Sequence, residues 1–266
     1  MIRHFISIIL SGVLFNLNSQ TVMKNIDQLS VISLKLELFK ETTLLSLGTG
    51  FIIQHNSKYF LLTNWHVISG KDYYTGKNSD EKGRLPNSIK INYHSNNLGK
   101  WVSGIEDIVR DGKPLWHETQ FDGKLTDIIT LPLNNIPVNA KIYPLNLDFD
   151  KTDMLPSPGG TVFVIGYPFG YSLDGFPVWK TGHIASDPDI DANGFPAILI
   201  DATTRPGMSG SPVFIKSNSY IDKAGSNRYG PEAILFLGIY SAQQFDSELG
   251  YIWKPVVVRK LISEIK

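Results

Sequence analysis

The chain has 266 residues, balances 25 Lys+Arg against 25 Asp+Glu, and contains no cysteine. The balance gives no electrostatic case for nucleic acid or for an anionic membrane surface. Without cysteine, disulfides, thiolate chemistry and cysteine-ligated zinc are excluded.

Hydrophobic residues make up 42% of the chain, enough for a sizeable core in one large or two small domains. At the N-terminus, Arg3 and His4 precede an apolar run over 5–15, interrupted only by Ser7, Ser11 and Gly12. A polar stretch over 16–20 with Ser19 follows, which completes the pattern of a secretory signal over residues 1–20. The run is too short to span a bilayer, so no stable membrane anchor is expected after cleavage. The expected location is periplasmic or secreted, in a bacterial type of cell.

Residues 30–39 alternate, with Ile32, Leu34, Leu36 and Leu38 against Ser33, Lys35 and Glu37, and predict a strand with one buried face. A second strand is predicted over 44–54, where Gly48-Thr49-Gly50 suggests a bulge or sharp bend. His55-Asn56-Ser57 turns the chain into a third strand over 58–63, and His66 follows at once. The remaining histidines lack such a setting: His4 lies in the signal, His55 in a turn, His94 and His117 in stretches that read as polar loops, and His183 in the strand predicted over 178–185.

Residues 69–87 read as a surface loop and 88–93 as a strand, while 96–123 resist assignment. Asp127 opens a short apolar strand, with Asp122 a nearby alternative acid. Five prolines over 132–158 mark a crossing between two β domains. Strands resume over 161–165, 178–185 and 197–200, the first ending in the turn Gly166-Tyr167-Pro168-Phe169-Gly170. Asp187, Asp189 and Asp191 alternate as in a calcium loop, but Ala192 and Ile198 occupy the positions that need glycine and glutamate, so no metal is expected. The stretch Thr203-Thr204-Arg205-Pro206-Gly207-Met208-Ser209-Gly210-Ser211-Pro212 breaks helix and sets Ser209 in a tight turn before a strand. Residues 217–231 read as a polar loop, 233–240 and 250–253 as strands, and Pro255 starts a helix with Val257, Leu261, Ile262 and Ile265 on one face.

Several of these motifs resemble the chymotrypsin/trypsin-like serine proteases. Gly207–Pro212 is similar to the serine motif G-x-S-G-[GS]-P. Thr63–Val67 is similar to the histidine motif [ST]-[AN]-x-H-[CV], and it follows a G-[ST]-G-F element at Gly48–Phe51. Val162–Gly170 resembles the V-x-x-I-G-x-P-x-G element of bacterial members, especially periplasmic heat-shock proteases, here without a PDZ domain. Asp127 stands in the place of the family's aspartate. The order His66, Asp127, Ser209 is that of chymotrypsin-like enzymes, not of subtilisins or α/β-hydrolases.

The resemblance implies an all-β fold of two antiparallel six-stranded barrels and a C-terminal helix. The first barrel would cover 28–138, a linker 139–157, and the second barrel with the helix 158–266. It implies a serine endopeptidase acting on polypeptide without cofactor, with His66, Asp127 and Ser209 as triad and the N–H groups of Gly207 and Ser209 as oxyanion hole. The wall of the S1 pocket would be Thr203, Thr204, Tyr240, Ser241, Ala242 and Gln243, without the acid that trypsins carry, which favours an uncharged P1 residue. Met208 replaces the aspartate with which the digestive enzymes bind a freshly cut N-terminus, so no zymogen switch of that kind is expected. The alternative is a silent or conditionally active copy of the fold that binds peptides.

Overall fold

The computed structural model of the protein describes residues 26–244 and 249–265; the signal expected over 1–20 lies outside them. The first half carries β1 (Ser33–Lys40), β2 (Thr43–His55), β3 (Lys58–Thr63), the short helix α1 (Trp65–Ser69), β4 (Ser88–Ser95) and β5 (Trp101–Asp107). It continues through a small ribbon of β6 (Val109–Arg110) and β7 (Lys113–Pro114) to β8 (His117–Phe121), β9 (Lys124–Pro132) and β10 (Ala140–Lys141). The second half carries β11 (Thr161–Gly166), β12 (Val178–Ile184), β13 (Ala197–Asp201), β14 (Pro212–Ile221), β15 (Asn227–Gln244), β16 (Leu249–Trp253) and the closing helix α2 (Pro255–Ser263).

The second half is a closed six-stranded barrel in the order β11-β12-β13-β16-β15-β14. The first half pairs antiparallel in the order β10-β4-β1-β2-β3-β9-β8, with β5 also on β4, so its sheet runs through eight strands rather than six. The architecture is chymotrypsin-like, as the resemblance implies. No helix among the described residues is long and apolar enough to cross a membrane.

Three apolar clusters fix the two halves. Leu34, Leu36 and Leu38, the inward face of β1, pack with Ile52, Ile89 and Ile91 inside the first sheet. Val162, Val164, Ile200, Val213 and Leu237 fill the second barrel. The third cluster joins the halves: Phe51 and Phe60 meet Phe214, Phe236 and Trp253, and α2 adds Val257, Val258 and Leu261. Each of these large side chains contributes about 1.5–3 kcal/mol by burial, so the seam is held by many small terms rather than by one contact.

Four local expectations change. Gly48 and Gly50 sit in a regular stretch of β2, and the irregularity of the β1–β2 ladder falls at Leu38/Phe39 instead. These glycines allow close approach: a Cβ on Gly48 would stand 2.6 Å from Val67 Cγ1 on the histidine helix, and one on Gly50 would stand 2.8 Å from Leu62 O. The stretch read as a loop over 217–231 is mostly the outer part of the β14–β15 hairpin, paired out to Ile221↔Asn227. Its residues are largely solvated, so no apolar alternation betrays the strands. The unassigned stretch over 96–123 holds β5 to β8. His94 is not in a polar loop: it lies in β4, fully buried against Trp101, Tyr143 and Phe176.

Candidate active site

β3 ends at Thr63, Asn64 takes extended backbone as the cap of α1, and His66 is the second residue of that helix. Gly70 ends α1 at φ +68 and donates its N–H to His66 O. The helix is one turn long because a left-handed cap leaves no room for another. β9 runs beside β3, with Thr63 opposite Ile129, and this register brings Asp127 under the imidazole. Asp127 is the fourth residue of β9 rather than its first.

The Asp127 carboxylate is fully buried. Oδ1 accepts the His66 backbone N–H at 2.9 Å, and Oδ2 lies 2.7 Å from His66 Nδ1. Oδ2 also accepts the Ser241 hydroxyl, and Asn64 Nδ2 donates to the Asp127 carbonyl at 2.7 Å. With Nδ1–H bound to a carboxylate, Nε2 is left as the basic nitrogen. Burial alone would lower the His66 pKa, but the charge and hydrogen bond of Asp127, with a smaller contribution from Asp72, raise it above 6.5. Asp122, the alternative acid, is exposed in the β8–β9 turn.

The serine arrives from the other half. Met208 N donates to Arg205 O at 3.1 Å across Pro206 and Gly207, and Gly207 has φ +94. Proline then glycine at the two central positions, the glycine left-handed, is the signature of a type II turn. A Cβ on Gly207 would overlap Tyr167 O. The neighbouring groups are tied off: Phe169 N to Pro206 O at 2.6 Å, Ser211 N to Met208 O at 3.0 Å, and Gly210 N to Tyr240 O at 2.9 Å. Among the described residues, the N–H groups of Gly207 and Ser209 donate to no acceptor. Met208 is buried in the second barrel and offers no charge.

His66 and Ser209 line one cleft of about 210 Å³ with Tyr73, Tyr74, Tyr240 and Ser241. The Ser209 hydroxyl donates to the carbonyl of Ser241 at 2.9 Å. Of the residues expected around S1, Thr204, Tyr240 and Ser241 line this cleft. Thr204 Oγ1 and Tyr240 OH hydrogen-bond to each other, both buried. The Tyr240 ring lies against Gly250, and burial pushes its phenol up to about 12, so it is neutral in ordinary buffers. Thr203 is exposed and does not line the cleft. Ala242 and Gln243 continue β15 beyond Ser241, and their side chains lie outside the described ones. Two features were not read from the sequence. The Ser241 hydroxyl bonds to Asp127 across 114 positions, and Tyr73 and Tyr74 reach the cleft from a stretch that reads as plain loop.

No curated protein sequence matches the chain. Among solved structures, a serine endoprotease from Yersinia pestis is 17% identical with a TM-score of 0.51, over 89% of this chain and 66% of that one. This chain therefore spans just under two thirds of that protein. The Rv3671c protease from M. tuberculosis is 20% identical in its active form, with a TM-score of 0.47, over 89% of this chain and 81% of that one. Its inactive form is 21% identical with a TM-score of 0.46, covering 89% of each chain. At these identities the likeness to the Yersinia structure speaks for the fold alone. The family described as trypsin-like peptidase domain matches residues 48–221, about two thirds of the sequence, and the chain belongs to that family.

Proposed function

We propose that the protein is a serine endopeptidase that cleaves polypeptide through an acyl-enzyme. The observation that carries this reading is the Asp127–His66 contact of 2.7 Å in the cleft that also holds Ser209. A serine hydroxyl is a poor nucleophile until a neutral imidazole takes its proton. His66 Nε2 takes it as Ser209 Oγ attacks the scissile carbonyl, then returns it to the leaving amine. Asp127 fixes the tautomer and stabilises the imidazolium. The tetrahedral oxyanion is met by the N–H groups of Gly207 and Ser209. Water, activated by His66, then attacks the acyl ester and frees the serine.

One observation favours a conditionally active form instead. Ser209 Oγ is bonded to the Ser241 carbonyl, and among the described residues no hydrogen bond joins it to His66. A χ1 rotation of Ser209 is then the first step after substrate binds. The experiment is labelling of the purified mature protein with a fluorophosphonate, against Ser209→Ala. Labelling lost in the variant supports the peptidase. A wild type that stays unlabelled with and without a protein substrate sinks it in favour of a binding module.

The signal pattern over 1–20 supports a location outside the cytoplasm, periplasmic or secreted. Mass spectrometry of exported material should find a chain that begins near residue 20. An intact N-terminus there would contradict export through a cleaved signal.

A further inference from the structure

We propose that Thr49 is a positioning residue of the oxyanion hole, an inference that rests on the peptidase reading. Thr49 belongs to the first half of the molecule, yet it holds the serine loop of the second. Its hydroxyl donates to Gly207 O at 2.7 Å, and its backbone N–H donates to Ser209 O at 2.9 Å.

The direction of the hydroxyl proton follows from its partners. Thr49 Oγ1 also accepts Tyr167 N–H at 3.1 Å, which leaves its single proton for the Gly207 carbonyl. The Thr49 carbonyl is itself held by Thr63 Oγ1 at 2.7 Å, three positions before His66. Thr49 is fully buried, so none of these bonds competes with water.

A peptide unit is planar and trans, so its N–H points opposite to its C=O. Fixing a carbonyl therefore aims the amide on the same unit. The Gly207 amide shares a unit with Pro206 O, which Phe169 N holds; the Ser209 amide shares a unit with Met208 O, which Ser211 N holds. Thr49 fixes the alternate units. It anchors the Gly207–Met208 unit through its hydroxyl and the Ser209–Gly210 unit through its amide. Those two units flank the one that carries the Ser209 N–H. With both flanks pinned, that unit cannot turn without breaking a buried bond. The two donors stay aimed before any substrate arrives, which is the condition for oxyanion stabilisation without reorganisation.

Valine has the shape of threonine without the hydroxyl. Thr49→Val leaves Gly207 O and Tyr167 N–H buried without their partner, and the turn can relieve this only by rotating the unit it should hold. Alanine makes the same deletion and leaves space. Serine keeps the bond.

The test uses the mature protein with p-nitrophenyl acetate, which needs no knowledge of the natural substrate, together with the rate of fluorophosphonate labelling. Thr49→Val is expected to lower kcat about tenfold to a hundredfold with KM within about threefold, and to slow labelling in parallel. Thr49→Ser is expected to stay within about threefold of the wild type. If Thr49→Val does not fold, Thr49→Ala takes its place. Crystal structures of the folded variants supply a readout besides activity: the Gly207–Ser209 backbone should be rotated in Thr49→Val or Thr49→Ala and unchanged in Thr49→Ser. Equal rates in the hydroxyl-free and serine variants, or an unrotated backbone without the hydroxyl, overturn the proposal. A wild type that neither hydrolyses nor labels defeats the peptidase reading separately, and the backbone comparison then decides the role of Thr49 alone.

Discussion

Ser241 is bonded to both the Asp127 carboxylate and the Ser209 side chain: its hydroxyl donates to Asp127, and its carbonyl accepts from Ser209 at 2.9 Å. One residue of β15 thereby ties the acid of the first half to the serine of the second. In the proposed mechanism the Ser209 bond to Ser241 breaks before His66 takes the serine proton. A structure of the fluorophosphonate adduct should show Ser209 Oγ rotated off the Ser241 carbonyl. In turnover, Ser209→Ala should cost on the order of 10⁶ and Asp127→Asn about 10⁴. Near-normal hydrolysis by either variant removes that residue from the mechanism. Ser241→Ala should cost roughly tenfold to a hundredfold, the worth of one hydrogen bond to a buried charge.

In the proposed mechanism the acid limb of the pH profile should report His66. Its pKa is raised, and the protonated ring cannot accept the serine proton, so kcat/KM should rise with pH through a midpoint above 6.5. Asp72 adds to the raising and is exposed, so Asp72→Asn should move the midpoint to lower pH by a few tenths of a unit. A shift to higher pH would show that the Asp72 charge does not act on the imidazole.

The floor of the cleft near Thr204 and Tyr240 is a neutral hydroxyl pair. The pair itself offers no counter-ion to Lys or Arg and no cation to Glu; the charged side chains that line the cleft are Lys71, Asp72 and Arg205. A peptide library should be cut after small uncharged residues, and Tyr240→Ala should shift the preference toward larger apolar ones. Main cleavage after Arg, Lys or Glu would refute this reading of the pocket.

His94 makes stability depend on pH. Burial pushes its pKa down to about 4, slightly offset by the backbone of Val31. The unfolded imidazole titrates near 6.5, so between these values the unfolded chain binds more protons. The neutral ring's contribution is full above about pH 6.5 and is lost as pH falls toward 4. Between about pH 7 and pH 5 the loss is on the order of 2 kcal/mol. His94→Phe, which suits the aromatic surroundings, should flatten urea-derived stability over that interval; an unchanged slope would count against it.

Gly210 has φ +86, and a Cβ there would overlap Thr49 O. Gly210→Ala should cost more than about 2 kcal/mol or prevent folding. Gly76 has φ +68 but open space around it. Gly76→Ala should cost only about 1 kcal/mol. Similar melting temperatures for the two variants would show that crowding by Thr49 is not what demands glycine at 210.

The sequence by itself determined the class of fold and singled out the side chains that the proposed mechanism uses. Alternation in β1 and the glycine and proline breaks around Ser209 are local properties, written in neighbouring residues. The His66, Asp127 and Ser209 motifs were readable for the same reason: each needs a particular short backbone. The outer hairpin of β14 and β15, the buried setting of His94 and the work of the Gly48 and Gly50 positions were not readable. A solvated hairpin has no apolar period, and burial of His94 comes from rings at Trp101, Tyr143 and Phe176 on separate segments. Glycine chosen for close approach looks the same in sequence as glycine chosen for a bend. The links Ser241–Asp127 and Thr49–Gly207 cross 114 and 158 positions, and only the packing of the two halves decides them. A hydrogen bond depends on distance and direction in space, and chain spacing carries neither once the partners lie on different sheets.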